Sequence, residues 1–238
     1  MGALEGRHAL VTGASRGIGA AVARALAEQG ARVALAARSA AALEALAHEL
    51  GAGHLAVAGD VTRADDVAAL EARVTAWAAG APDILVNNAG IFPRARVHEQ
   101  DADAFAHALD INLAAPFRVL RAFLPAMLAR RRGDIVTLGT VADRHIYQEN
   151  AAYSAGKFGA RALHEVLRAE TRGTGVRATL VAPGPVDTDL WNPHERSLGR
   201  SLPSREAMLR AEDVARAVVF AVSTPPHVDV EELRLSRS

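Results

Sequence analysis

Short apolar runs rich in Val, Ile and Leu alternate along the chain with longer Ala- and Leu-rich stretches whose polar positions recur at helical spacing. The runs HALVT (8–12), RVALA (32–36), HLAVA (54–58), DILVN (83–87), DIVTL (134–138) and VRATLV (176–181) are bounded by Gly, Asn or Asp and read as strands. A less apolar seventh lies at EELRL (231–235). Between them, helices are predicted near 17–29, 39–50, 63–79, 101–131, 151–172 and 212–222. The strands are apolar throughout instead of alternating, as in a parallel sheet covered on both faces. Right-handed crossovers then give an α/β architecture, a doubly wound parallel sheet of about seven strands with helices on both faces.

No Pro/Gly/Ser-rich linker or shift in composition divides the 238 residues, so one domain over 1–238 is expected. The segment 187–210, DTDLWNPHERSLGRSLPSREAMLR, breaks the rhythm after a strand end and is expected to form a flap over a site. Aromatics make up 4% of the chain against 50% hydrophobic residues, so the core is built mainly from Ala, Val, Leu and Ile. Lys+Arg and Asp+Glu balance at 27 each, which removes the general electrostatic case for a nucleic-acid or anionic-membrane partner. With no cysteine, disulfides and thiolate chemistry are excluded, and the nine scattered His residues point to no metal. The start lacks a basic segment followed by an apolar run, and no uninterrupted apolar stretch has the roughly 18 residues of a membrane span. A soluble cytoplasmic protein is the expectation.

TGASRGIG (12–19) follows the first strand and opens the first helix. Glycines at 13, 17 and 19 allow a tight turn and close backbone approach, and the helix N-terminus offers free N–H groups to a pyrophosphate. At the end of the second strand, an acidic residue would bind the ribose 2′-OH of NAD. This chain has Ala37 and Arg38 there, with Arg16 in the glycine turn. Two guanidiniums suit a 2′-phosphate, so NADP(H) is the preferred cofactor and NAD(H) the lesser one.

With that turn, DV (60–61), NNAG (87–90), IN (111–112), YSAGK (153–157) and PGPVDT (183–188) stand in an order and at separations that resemble the short-chain dehydrogenase/reductase family, over nearly the whole chain. The resemblance implies a Rossmann-type, single-domain oxidoreductase binding the dinucleotide. Gly13, Ser15, Arg16, Gly17, Ile18 and Gly19 would hold the phosphates with Arg38. Asp60 would bind the adenine amino group and Val61 pack on the ring. Asn87, Ala89 and Gly90 would pack backbone against the ribose, and Pro183, Gly184, Val186 and Thr188 would face the nicotinamide.

Tyr153 and Lys157 lie four apart, on one face of a helix. One positive charge about 4 Å from a phenol contributes roughly 4 kcal/mol at an effective dielectric of 20, on the order of three pK units before desolvation opposes it. The family assigns the tyrosine to acid/base catalysis, and to the lysine both the lowering of the phenol pKa and the binding of the nicotinamide ribose. Tyr153 and Lys157 thus count among the cofactor-binding residues as well. Asn112 matches the asparagine that supports a proton relay, a place where an amide stabilising a break between helical segments is equally at home. The departure is Thr140, thirteen residues before the tyrosine, where the family usually has Ser. Its hydroxyl can make the same hydrogen bond, while its methyl crowds the pocket and narrows the substrate range.

The expected reaction is hydride transfer between NADP(H) and a small-molecule carbonyl or secondary alcohol, as in carbonyl reductases and alcohol dehydrogenases. A ketone, 3-oxo ester or 3-hydroxy acid suits a pocket bordered by Phe92, Pro93, His145, Ile146, Tyr147, Pro185, Leu190 and Trp191. The ending PPHVDVEELRLSRS is similar to that of members acting on 3-hydroxy acids. The alternative is a non-catalytic dinucleotide-binding regulator on the same fold. The helices at 101–131 and 151–172 resemble those the family uses to assemble homodimers and homotetramers, so a homo-oligomer is expected.

Overall fold

The computed structural model describes residues 2–197 and 202–238. Along β1 (His8–Thr12), Ala9 and Val11 join one buried cluster and Leu10 the other. The same alternation runs through β2 (Arg32–Ala37), β4 (Ile84–Asn87) and β5 (Gly133–Leu138). Both faces of each strand are therefore largely apolar, which is why these runs do not alternate between apolar and polar positions. With β3 (Leu55–Ala58), β6 (Val176–Pro183) and β7 (Glu232–Leu235), the described residues form a seven-stranded parallel sheet of order β3-β2-β1-β4-β5-β6-β7.

Helices α1 (Gly17–Glu28), α2 (Ala40–Leu50) and α7 (Ala211–Ser223) bury Val22, Leu26, Leu43, Leu46, Val214 and Val218 against one face. On the other lie α3 (Ala64–Ala78), α5 (Ala115–Ala129) and α6 (Ala151–Thr171), with Leu70, Val74, Phe123, Met127 and Leu167 inside. Boundaries agree with the sequence-based expectation to within a residue or two.

One stretch differs. The helix expected over 101–131 is α4 (Ala102–Leu109) and α5 joined by a π-helical turn, Asp110–Ala114. Pro116 accounts for it: proline has no N–H to give the carbonyl four residues back, that of Asn112, and its ring crowds that carbonyl, so the wider turn relieves both. The continuous 28-residue stretch Ala102–Ala129, with mean hydropathy reaching 1.3 over its best window, has the length and composition of a membrane-crossing helix, although it contains no unbroken apolar run of that length. Val119, Leu120, Phe123 and Met127 are instead buried beneath it in the sheet's core.

After β6 the chain runs through two 3₁₀ segments, Asp189–Ser197 and Arg205–Ala207. The base of this excursion is closed by backbone hydrogen bonds from Asp187 to Leu209 and from Leu209 to Pro185, each 2.8 Å. Residues 198–201 of the expected flap lie outside the described residues.

The inner face of α6 places His164 against β5, its Nδ1 3.0 Å from the Thr137 hydroxyl. Burial, helped by the charges of Arg168 and Arg161, pushes the imidazole pKa down to about 4. The unfolded chain therefore takes a proton between about pH 6.5 and 4 that the folded chain refuses. Stability from this group is complete above that window and is lost as pH falls through it. In urea unfolding, the stability gap between wild type and His164→Asn should shrink by about 2 kcal/mol from pH 7 to pH 5. A gap that stays constant rejects the buried neutral imidazole.

Candidate active site

The sheet order reverses direction between β1 and β4, and the crevice beyond their C-terminal ends holds the glycine turn. Thr12 ties the two strands together: its Oγ accepts from the backbone N–H of Asn88 at 3.0 Å and of Ala89 at 3.2 Å. Asn88 answers with its side-chain amide, which donates to the Thr12 carbonyl at 2.9 Å. Gly13 and Gly17 have φ of +66° and +55°, the left-handed region that favours glycine. A Cβ at Gly19 would stand 2.2 Å from the Gly13 carbonyl oxygen, so the turn packs on itself without room for a side chain. No side chain caps the N-terminus of α1. Gly17, Ile18 and Gly19 at that terminus line the crevice, where their N–H groups could receive an anion.

Arg16 and Arg38 are exposed on the wall of this crevice. Asp60 accepts from Thr62 through both its N–H (2.9 Å) and its hydroxyl (2.7 Å). Burial raises the pKa of this carboxyl, but those bonds and the Arg38 charge outweigh it and leave the value lowered.

At the other end, Asn112 in the π turn is buried; its Oδ1 accepts from Ile91 N–H at 3.1 Å and its Nδ2 donates to the Ile91 carbonyl at 3.0 Å. Both amide groups thus fasten the helix break to the end of β4. Thr140 begins the 3₁₀ turn Val141–Asp143, its Oγ accepting from Ala142 N–H at 3.2 Å. Lys157 is buried and its Nζ donates to the Leu138 carbonyl at 2.9 Å, lying 5.9 Å from the centre of the Tyr153 ring.

This geometry corrects the expected depression of the phenol pKa. Burial pushes Tyr153 up to about 12, opposed by a hydrogen bond from Thr140 and reinforced by the Asp143 charge. Burial likewise brings Lys157 down to about 8. Desolvation outweighs the lysine's attraction because the ammonium is drawn to a backbone carbonyl and lies over the ring.

One cavity of about 880 Å³ joins the two ends. Gly13, Ser15, Arg16, Gly17, Ile18 and Gly19 line it, as do Arg38, Asp60 and Val61. Ala89, Gly90, Asn112, Thr140, Tyr153 and Lys157 follow, then Pro183, Gly184, Val186 and Thr188. Asn87 is not on its wall: it is buried within β4, and its neighbour Asn88 lines the cavity instead. Strand alternation sends the two asparagines to opposite sides.

Of the residues expected around the substrate, Phe92, Tyr147, Pro185, Leu190 and Trp191 line the cavity, while Pro93, His145 and Ile146 do not. The sequence offered no signal for Arg94 and Glu149, which line it as an ion pair at 2.7 Å. Fifty-five positions separate them. Phe92 is the hub of a ring cluster, edge-on to Tyr153 at 4.8 Å and to His194 at 5.3 Å, and tilted against Trp191 at 5.1 Å.

The family model for short chain dehydrogenases matches residues 7–198. The chain belongs to the short-chain dehydrogenase family. A glycine betaine reductase of Emericella nidulans is 38% identical over 237 residues, which cover 98% of this chain but 19% of that protein. An uncharacterized oxidoreductase of Staphylococcus haemolyticus is 35% identical, with 97% of this chain and 96% of the relative covered. Among solved structures, a metagenomic short-chain oxidoreductase in complex with NADP superposes with a TM-score of 0.82 at 33% identity, covering 99% and 100% of the two chains. An alcohol dehydrogenase from Thermococcus sibiricus complexed with 5-hydroxy-NADP gives 0.84 at 33% identity, covering 97% and 96%. This short-chain dehydrogenase is thus an oxidoreductase. Its glycine cradle, uncapped helix and the two arginines on the cavity wall fit a nicotinamide dinucleotide.

The closed packing of that cradle has a direct consequence. Gly19→Ala, whose methyl meets backbone, should destabilise the protein by about 1–3 kcal/mol in denaturant unfolding. A variant as stable as wild type would show that the turn has slack.

Proposed function

We propose that this short-chain dehydrogenase is an NADP(H)-dependent oxidoreductase that interconverts a carbonyl and an alcohol, with ketones, 3-oxo esters or 3-hydroxy acids as its substrate types. The supporting observation is the meeting, in one cavity, of a phosphate cradle at one end with Thr140, Tyr153 and Lys157 at the other. The dinucleotide, when bound, supplies or accepts the hydride at its nicotinamide ring. The backbone at Gly13–Gly19 holds the pyrophosphate, Arg16 and Arg38 take the 2′-phosphate, and Lys157 binds the nicotinamide ribose. Thr140 donates a hydrogen bond to the substrate oxygen, and Tyr153 gives that oxygen its proton in reduction or removes it in oxidation. Asn112 keeps the helix break in place beside them.

The direction of the phenol's shift shapes the pH dependence. With a pKa raised to about 12, Tyr153 is protonated throughout the neutral range and ready to donate. Carbonyl reduction then needs no prior ionisation, whereas alcohol oxidation needs the phenolate and rises with pH. Nothing in the family likeness favours a non-catalytic regulator.

A narrower reading is favoured by the ring cluster around Phe92 together with the relative named for glycine betaine. Aromatic faces attract quaternary ammonium groups. A trimethylammonium aldehyde would place its cation against Phe92 and Trp191 with its carbonyl at Tyr153.

Two measurements test these readings. A panel of carbonyls assayed with NADPH and NADH should give turnover favouring NADPH, and Tyr153→Phe should lose roughly 10²–10⁴-fold in kcat while still binding cofactor. Undiminished turnover in that variant removes the tyrosine from proton transfer, and equal efficiency with NADH removes the 2′-phosphate preference. For the narrower reading, betaine aldehyde should exceed its neutral carbon isostere, 3,3-dimethylbutanal, on the order of tenfold in kcat/KM. Equal values reject the cation site.

A further inference from the structure

Behind the Thr140 turn lies a carboxylate that the proposed reaction does not use. Asp143 closes the 3₁₀ turn that Thr140 opens, and its N–H donates to the Thr140 carbonyl at 3.2 Å. Its side chain is wholly buried, and neither oxygen has a hydrogen-bond partner among the described residues. A Cβ on Gly139 would lie 3.2 Å from Asp143 Oδ2, so the carboxylate rests against the backbone between Leu138, which accepts from Lys157, and Thr140. An ionised carboxylate in such a place is costly unless charges answer it, and burial raises its pKa against the pull of the guanidiniums around it.

Those charges come from three directions. Arg161 of α6 stands 3.5 Å away and Arg234 of β7 3.7 Å away, while Arg144 follows on the same turn. Glu232 of β7 competes for all three guanidiniums. Arg161 is the third member of a stripe on α6, after Tyr153 and Lys157 at four-residue intervals, so the helix face that presents the phenol and ammonium to the cavity also meets Asp143. The guanidiniums are held in turn by Glu232 and, for Arg161, by Glu165 at 3.2 Å. Asp143 is absent from the cavity wall and touches neither substrate nor cofactor space.

We propose that Asp143 is a positioning residue for the acid–base pair: its buried carboxylate fixes the Thr140 turn against the Tyr153–Lys157–Arg161 face of α6 and holds the phenol in its proton-donating form. The Asp143 charge works in the same direction on both neighbours, raising the pKa of Tyr153 and of Lys157. Both keep their protons more firmly, so at neutral pH the phenol is protonated and the phenolate that alcohol oxidation needs is scarcer. This inference rests on the proposed role of Tyr153.

The test is the pH profile of alcohol oxidation with NADP⁺ for wild type, Asp143→Asn and the charge-preserving Asp143→Glu, alongside Tyr153→Phe. Asp143→Asn should move the rising limb of log kcat/KM about one pH unit toward acid, the order expected when a neighbouring negative charge is removed, while Asp143→Glu keeps the wild-type limb. Should the amide variant not fold, Asp143→Ser removes the same charge from a smaller side chain and carries the same expectation. A neutral variant that loses rate without moving the limb has only a structural role, and one identical to wild type has none; either overturns the proposal. Failure of the underlying reading looks different, because then Tyr153→Phe retains turnover whatever the Asp143 variants do.

Discussion

The hydroxyl of Thr12, accepting two backbone N–H groups from the end of β4, governs the geometry of the whole crevice. At this point the sheet order reverses, so the chain leaving β1 and the chain leaving β4 turn to opposite faces and no helix covers the gap. A gap of that kind would spread unless its rims were tied. Thr12 and the Asn88 amide supply the tie, and they hold Gly13 and Ala89 at a separation that a Cβ on Gly13, 2.9 Å from the Ala89 α-carbon, would violate. The glycine cradle is therefore tied to the closing of a doubly wound sheet at the line where its order reverses.

At the far end of the cavity the governing term is desolvation. Tyr153 and Lys157 are both withdrawn from water, and each is driven toward its neutral form, the phenol up to about 12 and the ammonium down to about 8. The carbonyl of Leu138 and the charge of Asp143 act against the loss of the lysine's proton. A buried phenol of this kind stays protonated throughout the neutral range.

The two ends are joined by elements whose irregularities have causes. The π turn at Asp110–Ala114 follows from Pro116 and brings Asn112 inward to both polar groups of Ile91. The ring cluster around Phe92 joins the β4 exit to Trp191, whose indole N–H donates to the Val186 carbonyl at 2.9 Å. The cavity walls thus come from segments far apart in sequence but fixed to strand ends.

Strand and helix positions, the parallel sheet and the glycine turn were legible in the chain because each depends on neighbours a few residues away: apolar spacing, a Gly at a left-handed φ, a Tyr and a Lys one helical turn apart. The residues that the motifs named all lie on the cavity wall for the same reason, except Asn87, where the wall is lined by the other member of the adjacent pair, Asn88. Tertiary structure alone decided what surrounds those residues. That Lys157 turns to the Leu138 carbonyl, that Arg94 meets Glu149, and that Asp143 lies between Arg161 and Arg234 are contacts between segments well apart in the chain. Spacing along a chain fixes which residues share a face, but pKa values and ion pairs depend on burial and on through-space charge, and these exist only once distant segments have packed together.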